Sequence, residues 1–278
     1  MSMFIITLLI LLIILLLFLI CCNKNKENYT TIPIWTYWEN IDKNNKDPPK
    51  VVKRCYKNWK EKGKLNNINI LNPDNIKKFI PEDEYNKICK NADNLAVKSD
   101  FISLYLLYKY GGVWIDGSIF LNKPLLEWLP IDKMFTYRAD RFDNLVVCME
   151  TFFIYSPKNN IICKTWYDLL HKIAENEGID GFIKKVNIEY PGINKSMPNN
   201  YLWVYVVGKY LLLKNPDFIN MLNTKSAEEG PWYECEKNGW ENVEQICKAL
   251  SKKEPCSTCE LTKLHNGLRE KCGAEVVT

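Results

Sequence analysis

The sequence lacks a strong charge of either sign, and it contains only two histidines. Its 278 residues carry 37 Lys and Arg against 33 Asp and Glu, which gives a formal net charge of +4. Nucleic-acid-binding domains usually present a strongly basic face, so this balance argues against a nucleic-acid partner. The histidines are His171 and His265. His171 falls in a predicted helix, where we expect a structural role.

The sequence also lacks internal repeats, low-complexity segments and Gly/Ser-rich linkers. Hydrophobic residues make up 47% and aromatic residues 13% of the chain. That apolar content is enough to bury a core, which excludes a disordered or collagen-like protein. The length suits one large domain or two small ones. Without a linker to divide it, the main part of the chain is expected to form a single domain.

Residues 4–20 form a run of Leu, Ile and Phe that only Thr7 interrupts. Such a run is long enough to span a membrane as a helix. It is longer than a typical signal peptide and has no small-residue cleavage pattern. We therefore predict a transmembrane anchor at 1–22 and a juxtamembrane linker at 23–30. The protein would attach to the membrane through this single N-terminal helix.

The side of the membrane on which the main domain lies stays open. Lys24 and Lys26 follow the apolar run, and the positive-inside rule then places the domain on the cytosolic face. Two acceptor sequences for N-glycosylation begin at Asn28 and Asn194, and they indicate a lumen of the Golgi or ER type instead.

Strands and helices alternate along the remaining chain. This order predicts an α/β sheet with substantial parallel character. Tyr201–Leu213 is apolar and is expected to be a buried helix. The predicted strands are 31–38, 68–71, 113–115, 135–138 and 152–155, and the other predicted helices are 50–62, 82–90, 94–110 and 161–175.

Five of the eleven cysteines lie in the last 45 residues. We assign residues 226–278 to a Cys-rich extension that packs on the domain formed by residues 31–225. Cys256 and Cys259 have the C-x-x-C spacing of a zinc knuckle or a redox motif. A structural zinc site needs four ligands, and His265, Cys272 or Cys247 would have to complete it. Disulfides or free thiols, zinc and redox chemistry stay open.

One stretch carries most of the chemical information. A predicted helix with Ser99 and Asp100 near its first turn ends at Gly111 and Gly112, and a short apolar strand then runs to Asp116. Ligands of open α/β sheets bind beyond the carboxyl ends of the strands. A carboxylate at that point is able to hold a hard divalent cation against a diphosphate. Read alone, Asp116 also fits a simple turn cap.

This stretch resembles glycosyltransferases that use nucleotide sugars and carry an Asp-x-Asp sugar-binding motif. The group includes bacterial capsular polysaccharide synthesis proteins and yeast-type initiating mannosyltransferases. The similar pattern is Ser-Asp, then Tyr-Gly-Gly, then an aromatic residue, a hydrophobic residue and Asp. The upstream Ile-Pro-Ile-Trp and the later Phe-Ile-Tyr-Ser-Pro also match. The corresponding residues are Ile32–Trp35, Ser99, Asp100, Tyr110–Gly112, Trp114–Asp116 and Phe153–Pro157.

The resemblance implies a GT-A-type, Rossmann-like nucleotide-diphospho-sugar transferase domain behind the anchor. It implies a hexosyltransferase-type enzyme that retains anomeric configuration and uses a nucleotide-sugar donor and a glycan, lipid-linked or protein-linked acceptor. Asp116 and Asp100 are the implied catalytic residues, with Mn²⁺ or Mg²⁺ held by Asp116 and Ser118. The implied donor-binding residues are Trp35, Thr36, Ser99, Asp100, Gly111, Gly112 and Ser118.

Three positions depart from the family pattern or stay open. Ser118 replaces the second acidic residue, and a hydroxyl is a poorer metal ligand. Ser103 stands where the family usually has Arg. Lys98 or another lysine would have to supply the positive charge of that Arg. Glu150 is a candidate carboxylate on the acceptor side, although a surface position is expected. The alternative function is a degenerate member of the same fold that binds glycans or nucleotide sugars without turnover.

Overall fold

The computed structural model describes residues 11–14, 32–42, 47–142, 145–195, 197, 200–251, 256, 259–273 and 276–277. Pro33–Thr278 forms one compact unit, and Met1–Ile32 is assigned to another. The predicted anchor and linker lie outside the described residues except for 11–14, which are helical and exposed. No helix among the described residues is both long and apolar enough to cross a membrane.

A six-stranded mixed sheet forms the centre of the compact unit. Its spatial order is β2-β1-β3-β6-β5-β7. The pairs β1–β2, β1–β3 and β5–β7 are parallel, whereas β6 runs antiparallel to both β3 and β5. The strands of this sheet are β1 (Ile34–Tyr37), β2 (Ile68–Leu71), β3 (Gly112–Ile115), β5 (Met134–Arg138), β6 (Met149–Ser156) and β7 (Leu222–Ser226).

The predicted α/β architecture is confirmed in this mixed, parallel-rich sheet. The five strands expected from the sequence are all present, with β2 at its predicted bounds. No sequence pattern indicated β7, whose residues are largely polar and only partly buried. The small second sheet, in which β4 (Ile119–Leu121) pairs antiparallel with β8 (Leu261–Lys263), was also not predicted.

Helices cover the sheet, and the longest of them, α3, starts and ends at recognisable signals. Asn94 caps this helix, since its side chain accepts hydrogen bonds from the amides of Ala96 and Val97. That arrangement satisfies donors that a helix start leaves open. Gly111 ends the helix at φ 69°. The helices are α1 (Lys50–Glu61), α2 (Glu82–Asn91), α3 (Leu95–Tyr110), α4 (Ile161–Lys172), α5 (Gly178–Glu189), α6 (Trp203–Lys214), α7 (Tyr233–Asn238), α8 (Val243–Ser251) and α9 (Asn266–Lys271).

The main hydrophobic core lies between one face of the sheet and the helices α3, α4 and α6. Trp35, Trp114 and Ile154 supply the sheet side of this core, and Trp166 and Trp203 are fully buried on the helix side. The core explains why α3 and α6 are apolar around most of their circumference, as expected for buried helices.

The C-terminal extension is part of the same compact unit. The β4–β8 pair joins residues 261–263 to residues 119–121, just beyond the end of β3. Asn58 of α1 binds the backbone of β4. Its side chain donates to the Leu121 carbonyl at 3.1 Å and accepts from the Leu121 amide at 2.7 Å. Disulfides link Cys247 to Cys272 and Cys256 to Cys259. Because these pairs use the cysteines that a zinc site would require, the structure favours disulfides over zinc.

Candidate active site

One edge of the large sheet gathers the polar groups. The parallel strands β1 and β3 end at this edge, and the antiparallel β6 begins there. Asp116 follows β3 directly, and its amide donates to the Phe152 carbonyl at 2.9 Å. This hydrogen bond sets Asp116 beside Glu150 and Thr151, the second and third residues of β6. The carboxyl edge predicted from the sequence therefore exists, and Asp116 lies on it.

The Asp116 carboxylate is held on both oxygens. Its Oδ1 accepts from Trp114 Nε1 at 3.0 Å, and its Oδ2 lies 2.5 Å from the Lys263 ammonium. The Asp116 side chain is 31% exposed, whereas that of Lys263 is only 10% exposed. The carboxylate is therefore reachable from solvent, while the ammonium lies below the surface.

Lys263 reaches this position through backbone pairing. It lies opposite Ile119 in the β4–β8 pair, and the next amide, of Leu264, donates to the Ser118 carbonyl at 2.9 Å. The Lys263 ammonium also donates to Ser118 Oγ at 3.0 Å. One lysine thus bridges the two side chains that were predicted to hold a metal.

A second cation, Arg269 of α9, faces the same region. Its guanidinium carbon lies 5.6 Å from the centre of the Trp38 ring, just after β1. Burial lowers the pKa of Arg269, and the attraction of Asp116 opposes that change. Asp116 is thus within electrostatic reach of two basic side chains from the C-terminal extension.

Asp100 lies in α3 and interacts with the same cluster. Burial raises the pKa of Asp100 to about 8, although the residue keeps some contact with solvent. A hydrogen bond to Thr151 and the charge of Lys263 act in the opposite direction, and the charge of Asp116 adds to the rise. The predicted pair Asp100 and Asp116 is therefore brought together, and the pKa of Asp100 is raised far above its ordinary range. Ser99, beside it, is half-buried.

Glu150 is buried, so the expected surface position is wrong. Its carboxylate accepts from the Tyr205 hydroxyl at 2.8 Å and from Trp232 Nε1 at 3.3 Å, and it lies 3.4 Å from the Arg141 guanidinium. Burial raises the pKa of Glu150. The Thr151 hydroxyl, 3.5 Å from that of Tyr205, connects this network with Asp100.

Thr36 lies in β1, the strand that pairs with β3. Its hydroxyl is close to that of Tyr56, and among the described residues neither oxygen has a well-aligned hydrogen-bond partner although both are buried. A Cβ on Gly117 would come within 2.9 Å of the Tyr56 oxygen. The chain next to Asp116 thus packs directly on this pair of hydroxyls.

Three predicted donor-binding residues do not join the cluster. Trp35 is buried in the core, where its Nε1 donates to the Gly111 carbonyl at 2.8 Å. Gly111 and Gly112 lie at the start of β3, at the opposite end of the strand from Asp116. Gly112 has φ 101°, and a Cβ there would lie 2.2 Å from the Pro33 carbonyl oxygen. Both glycines are thus required by backbone conformation and packing.

Lys98, a candidate for the missing family arginine, is engaged elsewhere. Its ammonium pairs with Glu39 at 2.7 Å, with both side chains largely buried. Ser103 donates back to the Asp100 carbonyl at 2.8 Å inside α3.

His171 packs between Phe101 and Tyr167. Burial lowers the pKa of this histidine to about 4, so its ring is neutral at physiological pH. His171 is thus a buried residue of the core, and its structural role stays a prediction.

The predicted Mn²⁺ or Mg²⁺ stays a prediction, and the side chains present do not fit it well. Hard divalent cations need several oxygen ligands. Asp116 supplies a carboxylate whose Oδ2 already faces Lys263, and Ser118 accepts from the same ammonium. No group of three or more His, Cys, Asp or Glu side chains suited to a metal occurs among the described residues. A divalent cation bound to Asp116 Oδ2 and Ser118 Oγ would lie beside the positively charged ammonium of Lys263, which already contacts both oxygens.

Sequence reasoning missed Lys263 and Arg269. Neither is near Asp116 along the chain, and only the β4–β8 pair and α9 bring them there. The one local signal is that Lys263 is the charged member of a short segment, residues 261–264, whose residues are all buried. Tyr201, which precedes α6, is also close enough to Asp100 and Asp116 for their charges to raise its pKa, although burial contributes most.

Two solved structures are among those with similarity to the chain. One is titled "PaToxG Glycosyltransferase", with 20% sequence identity, a TM-score of 0.38 and coverage of 67% of this chain and 80% of that one. The other is the apo-form glycosyltransferase GlyE of Streptococcus pneumoniae TIGR4, with 9% identity and a TM-score of 0.42; the match covers 89% of this chain and 61% of GlyE.

No curated protein matches the sequence significantly. The family model described as "Capsular polysaccharide synthesis protein" matches residues 19–211. That range includes Asp100, Asp116 and Ser118, and it ends before Lys263. Because the match covers more than half of the 278 residues, the chain belongs to the family of capsular polysaccharide synthesis proteins.

Proposed function

We propose that this chain is a glycosyltransferase of GT-A type that moves a sugar from a nucleotide-sugar donor to a carbohydrate or glycoconjugate acceptor. Family membership supports a role in polysaccharide synthesis. The observation that carries the proposal is the meeting of Asp116, Asp100 and Lys263 at the carboxyl edge of the sheet. Nucleotide ligands of open α/β sheets bind at such edges.

The arrangement assigns a task to each group. The departing nucleoside diphosphate develops negative charge, so a transferase must hold positive charge at that point. Lys263, positioned by Asp116 and Ser118, supplies such a charge. Asp100, whose pKa is raised by burial, is able in its protonated form to donate a hydrogen bond to a sugar or ribose oxygen. We propose transfer of a hexose with retention of configuration, in line with the family that the sequence resembles.

Purified full-length chain should be screened for donor binding by thermal shift, since a ligand that binds the folded state raises apparent stability. Release of nucleoside diphosphate from the binding donors then measures turnover. We expect Asp116→Asn to lower turnover by at least about 100-fold, because it removes the charge that positions Lys263. The matched control is Asp168→Asn on the exposed surface of α4, where the side chain is 55% exposed.

The outcome separates the two functions that the sequence left open. An Asp116→Asn variant that folds normally by circular dichroism and turns over donor at the wild-type rate would reject the site. Donor binding without turnover in the wild type would support the degenerate binding protein, which Ser118 in place of the second acidic residue favours. Neither outcome depends on where the positive charge of the site originates.

A further inference from the structure

Two basic side chains face Asp116 without any added ion. Lys263 and Arg269 supply two positive charges, and both interact with Asp116. Ser118 stands where an Asp-x-Asp motif has its second carboxylate, so no second carboxylate of the motif opposes these charges. An Asp-x-Asp site without its ion would instead be negative. Two basic side chains at the edge of the sheet suit a dianionic or trianionic ligand.

We propose that Lys263 and Arg269, rather than a bound divalent cation, hold the diphosphate of the nucleotide-sugar donor in this protein. The inference rests on the proposed function and concerns how that function is carried out. Both basic residues lie beyond residue 211, where the family match ends. The charge is therefore supplied by a part of the chain that the family model does not include.

The geometry of Lys263 supports this role. An ammonium has three N–H donors, and two of them are directed to Asp116 Oδ2 and Ser118 Oγ. In the part of the chain that the structure describes, the third donates to no protein acceptor, and the ammonium lies 5.7 Å from the centre of the Phe152 ring. We assign this third N–H to a phosphate oxygen of the donor. Because the ammonium is largely buried, water screens its charge less than that of a surface lysine.

The position is also rigid, as a fixed charge in a catalytic site has to be. Lys263 is set opposite Ile119 by the β4–β8 pair, and its own amide donates to the Pro231 carbonyl at 3.1 Å. The disulfide between Cys247 and Cys272 joins α8 to the end of α9, the helix that carries Arg269. A preorganised charge needs no reorganisation when the leaving group becomes anionic.

The bond changes in this reaction involve no metal. The bond between the anomeric carbon and the phosphate oxygen breaks, and its electron pair stays on that oxygen. The acceptor hydroxyl oxygen forms the new bond to the carbon, and the hydroxyl proton passes to the departing phosphate. Lys263 and Arg269 stabilise the negative charge through hydrogen bonds and electrostatic attraction, and neither changes its own protonation state.

Calorimetric titration of the purified full-length chain with UDP, and separately with GDP, tests the proposal. We expect one of the nucleotides to bind equally well in EDTA and in Mn²⁺. Lys263→Met should weaken that binding at least about tenfold, as expected for loss of one member of a buried charge pair. Lys164→Met is the matched control, since Lys164 also pairs with an aspartate but on the exposed surface of α4.

A double variant guards against misfolding of Lys263→Met. Ser118→Asp combined with Lys263→Ala replaces the ammonium by a second carboxylate and recreates an Asp-x-Asp pair. We expect this variant to bind the nucleotide only when Mn²⁺ is present. If it binds without Mn²⁺ as tightly as the wild type does, Lys263 is not the source of the charge and the inference is overturned.

The wild-type titration alone distinguishes the remaining outcomes and requires no variant to fold. Nucleotide binding that appears only with Mn²⁺ overturns the inference and leaves the proposed function standing. Absence of binding by UDP, by GDP and by every donor of the thermal-shift screen, with and without Mn²⁺, overturns the proposed function and the inference with it. Binding in EDTA that Lys263→Met abolishes and Lys164→Met preserves supports both.

Discussion

The ammonium of Lys263 lies 2.5 Å from the carboxylate of Asp116, although 147 positions separate the two residues along the chain. One residue follows the central strand β3, and the other ends the short strand β8. Their contact makes the C-terminal extension a part of the candidate active site. The extension therefore places a positive charge beside the carboxylate of that site.

The stability of the protein should depend on the protonation of Asp100. The pKa of this carboxyl is about 8 in the folded chain, against an ordinary value of 3.8. The folded state thus binds this proton more tightly than the unfolded state does, so the stabilisation is complete below about pH 4 and is lost as the pH rises through about 8. Asp100→Asn keeps the shape without the titration. We expect the melting temperature of Asp100→Asn, relative to that of the wild type, to increase as the pH rises from about 5 to about 9.

Thermal melts of both proteins across that range check the expectation. The exposed Asp168→Asn variant is the control, and its difference from the wild type should stay flat. A constant difference between Asp100→Asn and the wild type at every pH would show that the carboxyl is ionised in the fold.

Glu150 should contribute strongly to the free energy of unfolding. Its buried carboxylate accepts from Tyr205 and Trp232 and pairs with Arg141. Removal of one member of a buried charged network leaves the partners unsatisfied, so Glu150→Ala should cost about 3–5 kcal/mol.

The control for this network is Glu61→Ala, which removes a surface partner of Arg54 and Lys57. It should cost less than about 1 kcal/mol, because exposed ion pairs contribute little. Urea unfolding of Glu150→Ala and Glu61→Ala measures both costs. Equal costs would contradict the burial of the network around Glu150.

Gly112 is expected to tolerate no side chain. Its φ is 101°, and a Cβ added there would come within 2.2 Å of the Pro33 oxygen. Gly112→Ala should therefore destabilise the fold by more than about 2 kcal/mol. Gly181→Ala is the opposite control, because Gly181 lies in α5 and its nearest neighbour would be 3.7 Å away. The free energy of unfolding of Gly181→Ala should increase by about 0.5–1 kcal/mol. Chemical denaturation of both variants measures whether Gly112→Ala destabilises the fold and Gly181→Ala stabilises it.

The disulfide between Cys247 and Cys272 should stabilise the extension. It closes a loop with a sequence separation of 25, for which about 2–4 kcal/mol is typical. The double variant Cys247→Ser with Cys272→Ser should therefore unfold at a lower denaturant concentration. It should also bind nucleotide more weakly, because the loop contains Lys263 and Arg269. Cys89→Ser, at an exposed free cysteine, serves as the control and should change neither property.

Local sequence signals were sufficient to predict the first half of the domain. Apolar spacing and the glycine pair defined α3 and β3, and Asn94 at the helix start is a capping residue of a common type. These features depend on residues that are close together in the chain, so the sequence alone reveals them. The same pattern located Asp100 and Asp116 and indicated the capsular polysaccharide synthesis family.

Weakly patterned segments were harder to predict. The strand β7 is polar and partly exposed, and β8 has only three residues. Such strands form because their backbone groups pair with those of a neighbouring strand. When that neighbour is distant in sequence, the local pattern of apolar residues does not reveal the pairing. The helices of the extension are also hard to predict. They are short, and such helices depend on tertiary packing rather than on intrinsic helix propensity.

The alternation of strands and helices, the carboxylate after β3 and the family of the chain all follow from the order of its residues. The surroundings of that carboxylate depend instead on the three-dimensional fold. Burial raises the pKa of Asp100, and strand pairing brings Lys263 between Asp116 and Ser118. Both effects arise from groups far apart in the chain, because desolvation and electrostatic attraction depend on distance in space rather than along the sequence.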